Sequence, residues 1–318
     1  MSEQRTSKVS IVGVGSVGTA IAYACMIRGS AGAIALYDMA AKKVHAEVLD
    51  LNHGSQFVPN CVVTGSDSME VTADSSVVII TAGAAQKPGQ TRLELAATNV
   101  GIVQSMMPQL LEHSPNAIFI FVTNPVDIVT LAAARSVDIE PGRIFGSGTV
   151  LDSSRFRYLI AKRAGVDVGN VHGVIVGEHG DSEIPLWSSV SIGGVPALQW
   201  RDVAGNLVFD DTTREQIAYG VVNAAYEIIE GKGATNLAIG LSSARIIEAV
   251  LSDEQRVLPI STVQTGAYQL KDVALALPTL VSRSGAGQVL EVPLSVNELL
   301  GLQSSAKTLA EIRDSLQL

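Results

Sequence analysis

Side chains that could transfer a proton or hold an anion are concentrated in three polar segments of the sequence. The first is the turn at 177–183, where His179 follows an apolar, strand-like run. An imidazole exchanges protons near neutral pH, although a single histidine in a loop is often no more than a polar surface residue. His172 precedes His179 by seven positions, a spacing unlike the common zinc sites, and no cysteine accompanies them. The sequence therefore predicts no metal ion.

The second segment, residues 147–157, contains Asp152 and Arg155. On a helix these two residues are three apart and share a face, so a carboxylate and a guanidinium could act together. A purely local arrangement is the alternative, in which Asp152 completes a capping box with Thr149 and Arg155 simply pairs with Asp152. The spacing alone leaves both interpretations open.

Arg92 follows the third segment, a polar loop at 83–91 that comes directly after a buried, strand-like run. Open parallel sheets bind ligands beyond the carboxyl ends of their strands, which is where this loop would lie. Thr91 and Glu94 can form a capping box that places Arg92 in the first turn of a helix. Arg92 is therefore expected where a mobile loop meets a rigid helix, although a surface position is the default for any single arginine.

A glycine motif follows the first strand-like run and opens the first helical pattern, with Gly13, Gly15 and Gly18 at its fixed positions. Glycines at this spacing permit a tight turn, close approach of a diphosphate, and close packing of helix on strand. The helix N-terminus then faces the diphosphate charge. Asp38 ends the second strand twenty residues after Gly18, where a carboxylate binds ribose hydroxyls and repels a 2′-phosphate. The pattern predicts a dinucleotide site that favours NAD over NADP.

The elements that must position these residues change character halfway along the chain. Short β-branched runs alternate with helical patterns in the first half, which predicts a doubly wound parallel sheet of the Rossmann type. Strands are predicted at 9–14, 33–37, 76–81 and 117–123, and helices at 17–28, 42–51 and 93–111. A mixed α+β domain is predicted after it, with helices at 153–164, 213–229, 234–251 and from 295, and strands at 171–176, 257–263 and 273–281. We expect a dinucleotide-binding domain at 1–147 and a substrate and catalytic domain at 148–318.

Composition argues against several classes of partner. Among the 318 residues, 22 basic and 31 acidic side chains give a net charge of −9, which disfavours binding to nucleic acid or to an anionic membrane. Cys25 and Cys61 lie in apolar surroundings, as expected for reduced thiols. The polar start at 1–8 does not resemble a signal peptide, and no apolar run reaches the roughly 18 residues of a membrane span. We therefore expect a soluble, cytoplasmic protein.

The polar segments point to a protein family most specifically when they are considered together and in their order along the chain. With GQTRL at 89–93, TNPVD at 123–127 and GEHGD at 177–181, the chain resembles the L-lactate/L-malate dehydrogenase family along essentially its whole length, and bacterial L-lactate dehydrogenases in particular. The resemblance implies an NAD-dependent oxidoreductase of glycolysis and fermentation that interconverts pyruvate and lactate. Malate dehydrogenase is the alternative within the fold, and a catalytically inactive NAD-binding relative is the alternative of another class.

The resemblance also implies a role for each candidate residue. His179 would donate a proton to the carbonyl oxygen, and Asp152 would orient its ring and stabilise the protonated form. Arg155 would grip the substrate carboxylate, and Arg92 would polarise the carbonyl when the loop closes as a lid. Further substrate contacts are implied for Gln86, Asn124 and Thr235. The cofactor contacts implied are Gly13, Gly15, Val17, Gly18, Asp38, Lys43, Gly83, Ala84, Ser105, Val122, Asn124, Ser147 and Ile239.

Two further cationic groups are expected to point away from this site. Arg157 lies two positions from Arg155, about 200° around a helix. An unbroken strand would place His172 on the face opposite His179. Family members activated by fructose 1,6-bisphosphate carry arginine and histidine at these two positions, so the resemblance implies an effector site at an interface of a homotetramer. The chain departs from the family at Gln90, at the pair 236–237 and over 264–277.

Overall fold

The computed structural model describes residues 7–84 and 91–318 of the chain. The helices are α1 (Ser16–Arg28), α2 (Ala41–His53), α3 (Arg92–His113), α4 (Val126–Ser136), α5 (Val150–Ala164), α6 (Asp211–Lys232), α7 (Leu237–Leu251) and α8 (Val296–Ser315). The strands are β1 (Lys8–Val12), β2 (Ala33–Tyr37), β3 (Val62–Ser66), β4 (Val77–Ile80), β5 (Ile118–Phe121), β6 (Ile144–Gly146), β7 (Val171–His172), β8 (Ile175–Val176), β9 (Ile184–Pro185), β10 (Ser191–Ile192), β11 (Val195–Pro196), β12 (Arg256–Thr265), β13 (Lys271–Ser282) and β14 (Gly285–Val289).

Six parallel strands form the centre of the first half, in the order β3-β2-β1-β4-β5-β6. Every residue of β4 and β5 is buried, because helices cover both faces of the sheet. Helices α1, α2 and α7 pack on one face, and α3 and α4 pack on the other. The predicted doubly wound Rossmann sheet is confirmed.

The second half extends this sheet with antiparallel strands. β12 pairs with β6 through Ser261 and Gly146, and β13 and β14 follow in turn. Two small sheets, β11-β10-β7 and β8-β9, complete the mixed α+β part. Because the large sheet crosses the predicted boundary after residue 147, the division into domains at that point stays a prediction.

The prediction of one strand at 171–176 is wrong. β7 pairs with β10 and β8 pairs with β9, and the two strands belong to different sheets. Side chains of α5 bind the backbone at the break: Nε of Arg157 donates to the carbonyl of Gly173 at 2.7 Å, and the N–H of Ile175 donates to Oγ of Ser153 at 2.9 Å. No continuous strand therefore leads from His172 toward His179, and the expectation that the two residues face opposite sides of one strand does not apply.

Two helices begin at capping boxes. Thr91 and Glu94 form the predicted one, so α3 begins at Arg92, and Ser295 and Glu298 form another before α8. The ends of the other predicted elements lie within three residues of the observed ones. Among the helices of residues 7–84 and 91–318, none is long and apolar enough to cross a membrane.

Candidate active site

The carboxylate of Asp152 connects the two residues that could protonate and hold a small anion. Its Oδ2 lies 2.5 Å from Nδ1 of His179, and its Oδ1 accepts a hydrogen bond of 2.7 Å from Nη1 of Arg155. Asp152 is almost fully buried, so both interactions are poorly screened by water. With Nδ1 turned toward Asp152, Nε2 is the ring nitrogen left to meet a substrate.

Asp152 lies in the first turn of α5 but takes no part in a capping box. The hydroxyl of Thr149 makes no capping hydrogen bond and instead donates to the carbonyl of Ile175 at 2.6 Å. That contact fastens the start of α5 to β8, the strand that leads into the histidine turn. The capping-box alternative is therefore wrong, and the Asp152–Arg155 pair is part of a larger cluster.

The backbone of the histidine turn is held by Asp127, to which the sequence analysis gave no role. Asp127 is buried in the first turn of α4, where it accepts a hydrogen bond of 2.7 Å from the N–H of His179 and another from the hydroxyl of Ser261. Burial raises the pKa of Asp127 to about 6. A lone carboxyl group in an otherwise apolar helical run was the signal that could have identified it.

Asp152 and His179 hold each other in the charged form. Burial favours a neutral imidazole, but the Asp152 carboxylate outweighs burial and raises the pKa of His179 to about 9. Burial also works against the Asp152 carboxylate, while His179 and Arg155 hold its pKa below the ordinary value. At neutral pH His179 is therefore a charged acid with a proton to donate.

These groups line a cavity of about 490 Å³. Arg92 lies at its exposed rim, with Nη1 2.7 Å from Oδ2 of Asp181 and Nη2 donating to the hydroxyl of Tyr226 on α6. Tyr226 donates in turn to Oδ1 of Asp181 at 3.1 Å. Arg92 is thus bound to protein partners in this structure. The other predicted lid residue, Gln86, lies outside the described residues.

Asn124 lines the same cavity and is positioned by Asn99, a buried residue that the sequence analysis missed. Nδ2 of Asn99 donates to the carbonyl of Asn124 at 2.7 Å, and its Oδ1 accepts from the N–H of Ala84 at 2.8 Å. One amide of α3 therefore joins the segments that follow β4 and β5. An amide on the buried face of α3 was the available signal.

The glycine turn after β1 fits a dinucleotide. Gly13 has φ +96°, which favours glycine, and a Cβ at Gly18 would collide with the carbonyl of Gly13. At Gly15, by contrast, a Cβ would meet nothing within 4 Å. No side chain caps the first turn of α1, and no acidic residue lies there. The uncapped N–H groups and the open space beside Gly15 therefore suit a diphosphate.

Asp38 fixes the same turn from the end of β2. Its Oδ2 accepts a hydrogen bond of 2.8 Å from the N–H of Val14, and its Oδ1 accepts one of 3.0 Å from the N–H of Ala40. Each carboxylate oxygen keeps a second lone pair, so ribose hydroxyls can still bind. The carboxylate would repel a phosphate in the same place, as the sequence analysis predicts.

Several other predicted cofactor residues lie where parallel strands end. Gly83, Val122 and Ser147 come after β4, β5 and β6, at the carboxyl edge where doubly wound sheets bind ligands. Ala84 follows Gly83. Val17 and Lys43 lie in the first turns of α1 and α2, whereas Ser105 lies in the second half of α3.

Thr235 lies just before α7, and Ile239 lies in its first turn. Gly240 in α7 packs against the backbone of Ala20 in α1, which places the start of α7 beside the first helix. Neither Thr235 nor Ile239 lines the 490 Å³ cavity, so their roles stay predictions.

Arg157 contacts the residue that follows His172. The guanidinium of Arg157 binds the carbonyl of Gly173, the residue after His172. His172 is exposed and pairs with Ser191 in the three-stranded sheet. Neither of the two predicted effector residues lines the cavity that holds His179.

A further acid lies beside the cluster. Polar atoms of Asp152, His179 and Glu183 lie within 4.8 Å of one another. Three such groups are also within the range of a metal site, yet Asp152 and His179 are already bonded to each other. We interpret the group as an acid–base cluster, and the expectation that the chain binds no metal stays a prediction.

Both halves of the chain match models of one family. Residues 7–146 match the lactate/malate dehydrogenase NAD binding domain, and residues 149–317 match the alpha/beta C-terminal domain of the same family. An L-lactate dehydrogenase from Bifidobacterium animalis subsp. lactis is 50% identical over 307 residues, which are 96% of each chain. L-lactate dehydrogenase 1 from Clostridium acetobutylicum is 42% identical over 313 residues, 98% of this chain and 99% of that relative. The first half is thus an NAD-binding domain.

Solved structures agree with these matches. A lactate dehydrogenase enzyme from a Medee basin deep-sea metagenome library has a TM-score of 0.93 and 35% identity, covering 99% of this chain and 100% of that chain. A minor L-lactate dehydrogenase from Enterococcus mundtii also has a TM-score of 0.93, with 37% identity over 98% of each chain. By its sequence and by its fold, the chain belongs to the lactate/malate dehydrogenase family.

Proposed function

We propose that the chain is an NAD-dependent L-lactate dehydrogenase, which reversibly reduces pyruvate to (S)-lactate. The observation that carries this proposal is the Asp152 carboxylate, which holds a charged imidazole and a guanidinium in one cavity. A 2-keto acid needs both groups, because its carbonyl oxygen takes up a proton and its carboxylate needs a cation. Relatives named L-lactate dehydrogenase support the choice of substrate.

His179 is the proposed proton donor. Reduced nicotinamide, when bound, supplies the hydride that the carbonyl carbon receives. His179 is protonated at neutral pH and carries the proton that the carbonyl oxygen then needs. Asp152 holds Nδ1, so Nε2 is the atom that donates. In the reverse direction the neutral imidazole accepts the proton of the lactate hydroxyl.

Arg155 is the proposed anchor for the substrate carboxylate. The guanidinium of Arg155 has five N–H groups, and one of them binds Asp152. The others can form two parallel hydrogen bonds to a carboxylate, which a lysine could not reproduce. Asn124 would contact the substrate from the wall of the same cavity, and Thr235 from the segment before α7. Ile239 would pack against the nicotinamide, on the side of the glycine turn.

Arg92 is proposed to polarise the substrate carbonyl. To do so it must exchange Asp181 and Tyr226 for the carbonyl oxygen as the lid closes, which also excludes water. Arg92 is the first residue of α3, directly after the capping box at Thr91. Its backbone is therefore fixed, and the exchange of partners requires movement of its side chain.

A panel of 2-keto acids assayed with NADH tests the function. Pyruvate should be preferred over oxaloacetate by on the order of a thousandfold, because Gln86 offers no charge for a second carboxylate. Gln86→Arg would supply that charge and should shift the preference toward oxaloacetate. If the wild type itself prefers oxaloacetate, malate dehydrogenase is the function. If no 2-keto acid is turned over, the chain is an inactive NAD-binding relative.

We further propose a cytoplasmic homotetramer that fructose 1,6-bisphosphate activates through Arg157 and His172. The contact of Arg157 with the residue after His172, and the fact that neither residue lines the cavity, support an effector site separate from the substrate. Pyruvate saturation curves with and without the sugar bisphosphate, in the wild type and in Arg157→Gln, test this. We expect the sugar bisphosphate to activate the wild type but not Arg157→Gln. An unchanged wild-type curve at limiting pyruvate and low enzyme concentration would exclude the effector site.

A further inference from the structure

Glu183 brings a second carboxyl group to the wall of the cavity. It ends the histidine turn just before β9 and lines the cavity together with Asp152, Arg155 and His179. Its Oε1 is fully enclosed and has no hydrogen-bond partner among residues 7–84 and 91–318. The proton transfer described above needs only His179 and Asp152, so it leaves this buried oxygen unexplained.

The two carboxyl groups oppose each other's ionisation. Burial, and then the nearby Asp152 carboxylate, raise the pKa of Glu183 to about 8, although His179 and Arg155 act in the opposite direction. Asp152 is held as a carboxylate by direct contacts with His179 and Arg155. Of the two acids, Glu183 is therefore the one that keeps a proton at neutral pH.

The proton on Glu183 decides the charge that a substrate meets. Asp127 also contacts His179, through the backbone N–H, but it does not line the cavity. Within the cluster on the cavity wall, with Glu183 neutral, the carboxylate of Asp152 and the cations of Arg155 and His179 sum to one positive charge. A 2-keto acid with one carboxylate neutralises that charge. With Glu183 ionised the same groups sum to zero, and the entering carboxylate would bring an unpaired negative charge into a partly buried site, which is costly.

Other acids on the cavity wall have partners of their own. Asp181, on the same turn, pairs with Arg92, and Glu178 accepts a hydrogen bond from Ser182. On α8, Glu311 lies 3.9 Å from Lys307. Among these wall acids, Glu183 is thus the one with an enclosed carboxyl oxygen that has no hydrogen-bond partner in the described residues.

We propose that Glu183 is a positioning acid, whose bound proton lets the substrate carboxylate enter beside Arg155 and the charged His179. Productive binding of pyruvate then requires two protons. The proton on His179 is transferred, and the proton on Glu183 stays. The inference rests on the proposed function for the identity of the substrate, whereas the proton on Glu183 is a property of the free protein.

The pH dependence of kcat/KM for pyruvate, measured with the intact enzyme and saturating NADH, tests the proposal. With two groups that lose protons near pH 8 and pH 9, wild-type kcat/KM should fall about 100-fold between pH 7 and pH 9.5. In Glu183→Gln, which is neutral and of similar shape, His179 is the one group of the pair that still ionises, so the fall should be several-fold smaller than in the wild type. Equal falls in the two proteins would overturn the proposal.

Asp181→Asn is the matched control, because it replaces a carboxyl group of the same turn by an amide but leaves Glu183 in place. It should keep the steep wild-type fall, and a shallow fall would show that any lost carboxylate produces the effect. Circular dichroism at each pH checks that the variants remain folded.

A titration of the His179 imidazole by NMR, in protein free of cofactor, separates this inference from the proposed function. His179→Asn identifies the signal. The wild type should show a second inflection near pH 8 that Glu183→Gln lacks. Without that inflection the inference fails, even if pyruvate is turned over. With it, the inference survives even if the preferred substrate is a different 2-keto acid.

Discussion

The guanidinium of Arg92 lies 2.7 Å from the carboxylate of Asp181 at the rim of the cavity, and Tyr226 binds both groups. Both charged side chains are more than half exposed. Asp181 therefore competes with the substrate carbonyl for the guanidinium of Arg92. Such an exposed ion pair contributes roughly 0.2–1 kcal/mol, which is enough to affect binding but not to prevent closure.

Asp181→Asn should lower the KM for pyruvate by about two- to fivefold, because Arg92 no longer has to leave an ion pair. Tyr226→Phe is the matched comparison, since it removes one hydroxyl and no charge, and its effect should be smaller. Steady-state kinetics at constant NADH measures both. A KM that is unchanged or higher in Asp181→Asn would show that Asp181 does not restrain Arg92.

Asp152→Asn should reduce kcat/KM for pyruvate at pH 7.5 by on the order of 100-fold or more. The amide supplies no charge to hold the proton on His179, so burial then lowers the pKa of the imidazole from its value of about 9. Activity should accordingly disappear at a lower pH than in the wild type, where His179 loses its proton only near pH 9. An alkaline limb at the wild-type position would contradict this account of His179.

Asp127→Asn should change how stability depends on pH. The folded-state pKa of Asp127 is about 6, above its ordinary value of 3.8, so the wild type loses stability as the pH rises through 6. The neutral amide removes that loss. Between pH 4 and pH 7 the free energy of unfolding of the variant should therefore rise by up to about 3 kcal/mol relative to that of the wild type.

Denaturant unfolding at pH 4 and pH 7 measures this difference. The amide introduced by Asp127→Asn can accept from the N–H of His179 through its oxygen and donate to the hydroxyl of Ser261, so both contacts survive the change. Ser261→Ala keeps the carboxyl group and should retain the wild-type direction of the pH dependence. A parallel pH dependence in Asp127→Asn and the wild type would show that Asp127 does not titrate in this range.

Asp38 should make NADH a much better cofactor than NADPH, because the 2′-phosphate would meet an uncompensated carboxylate. Asp38→Asn removes the charge and should narrow the ratio of the two kcat/KM values by at least tenfold, about 1.4 kcal/mol. Asp38→Ala also removes the acceptor for Val14 and should weaken the binding of both cofactors. Comparable kcat/KM values for NADH and NADPH in the wild type would contradict this role.

The sequence predicts the cofactor half well, because its signals are local. β-branched runs, the capping box at Thr91 and the glycine motif each depend on residues a few positions apart. The same holds for the pairing of Asp152 with Arg155. Elements with weak local patterns were not predicted: β6 has three residues, β3 is largely exposed, and α4 follows too closely on β5 to be separated from it.

The contacts that organise the site join distant parts of the chain and could not be read from spacing. Asp127 meets His179 across 52 positions, and Asp152 meets it across 27. At the break between β7 and β8, Arg157 and Ser153 bind the backbone, and no β-strand pattern reports such contacts. The enclosed Glu183 is a similar case, since its charge depends on neighbours that only the fold brings together.

The pairing of β12 with β6 through Ser261 and Gly146 has a consequence for any shortened form of the chain. A polypeptide that ended near residue 147 would leave β6 as an open edge, with N–H and C=O groups ready to pair with another molecule. It would also lack Ser261, the hydroxyl partner of Asp127. Such a fragment should self-associate through that edge, and adding the missing C-terminal segment in trans should compete with its aggregation.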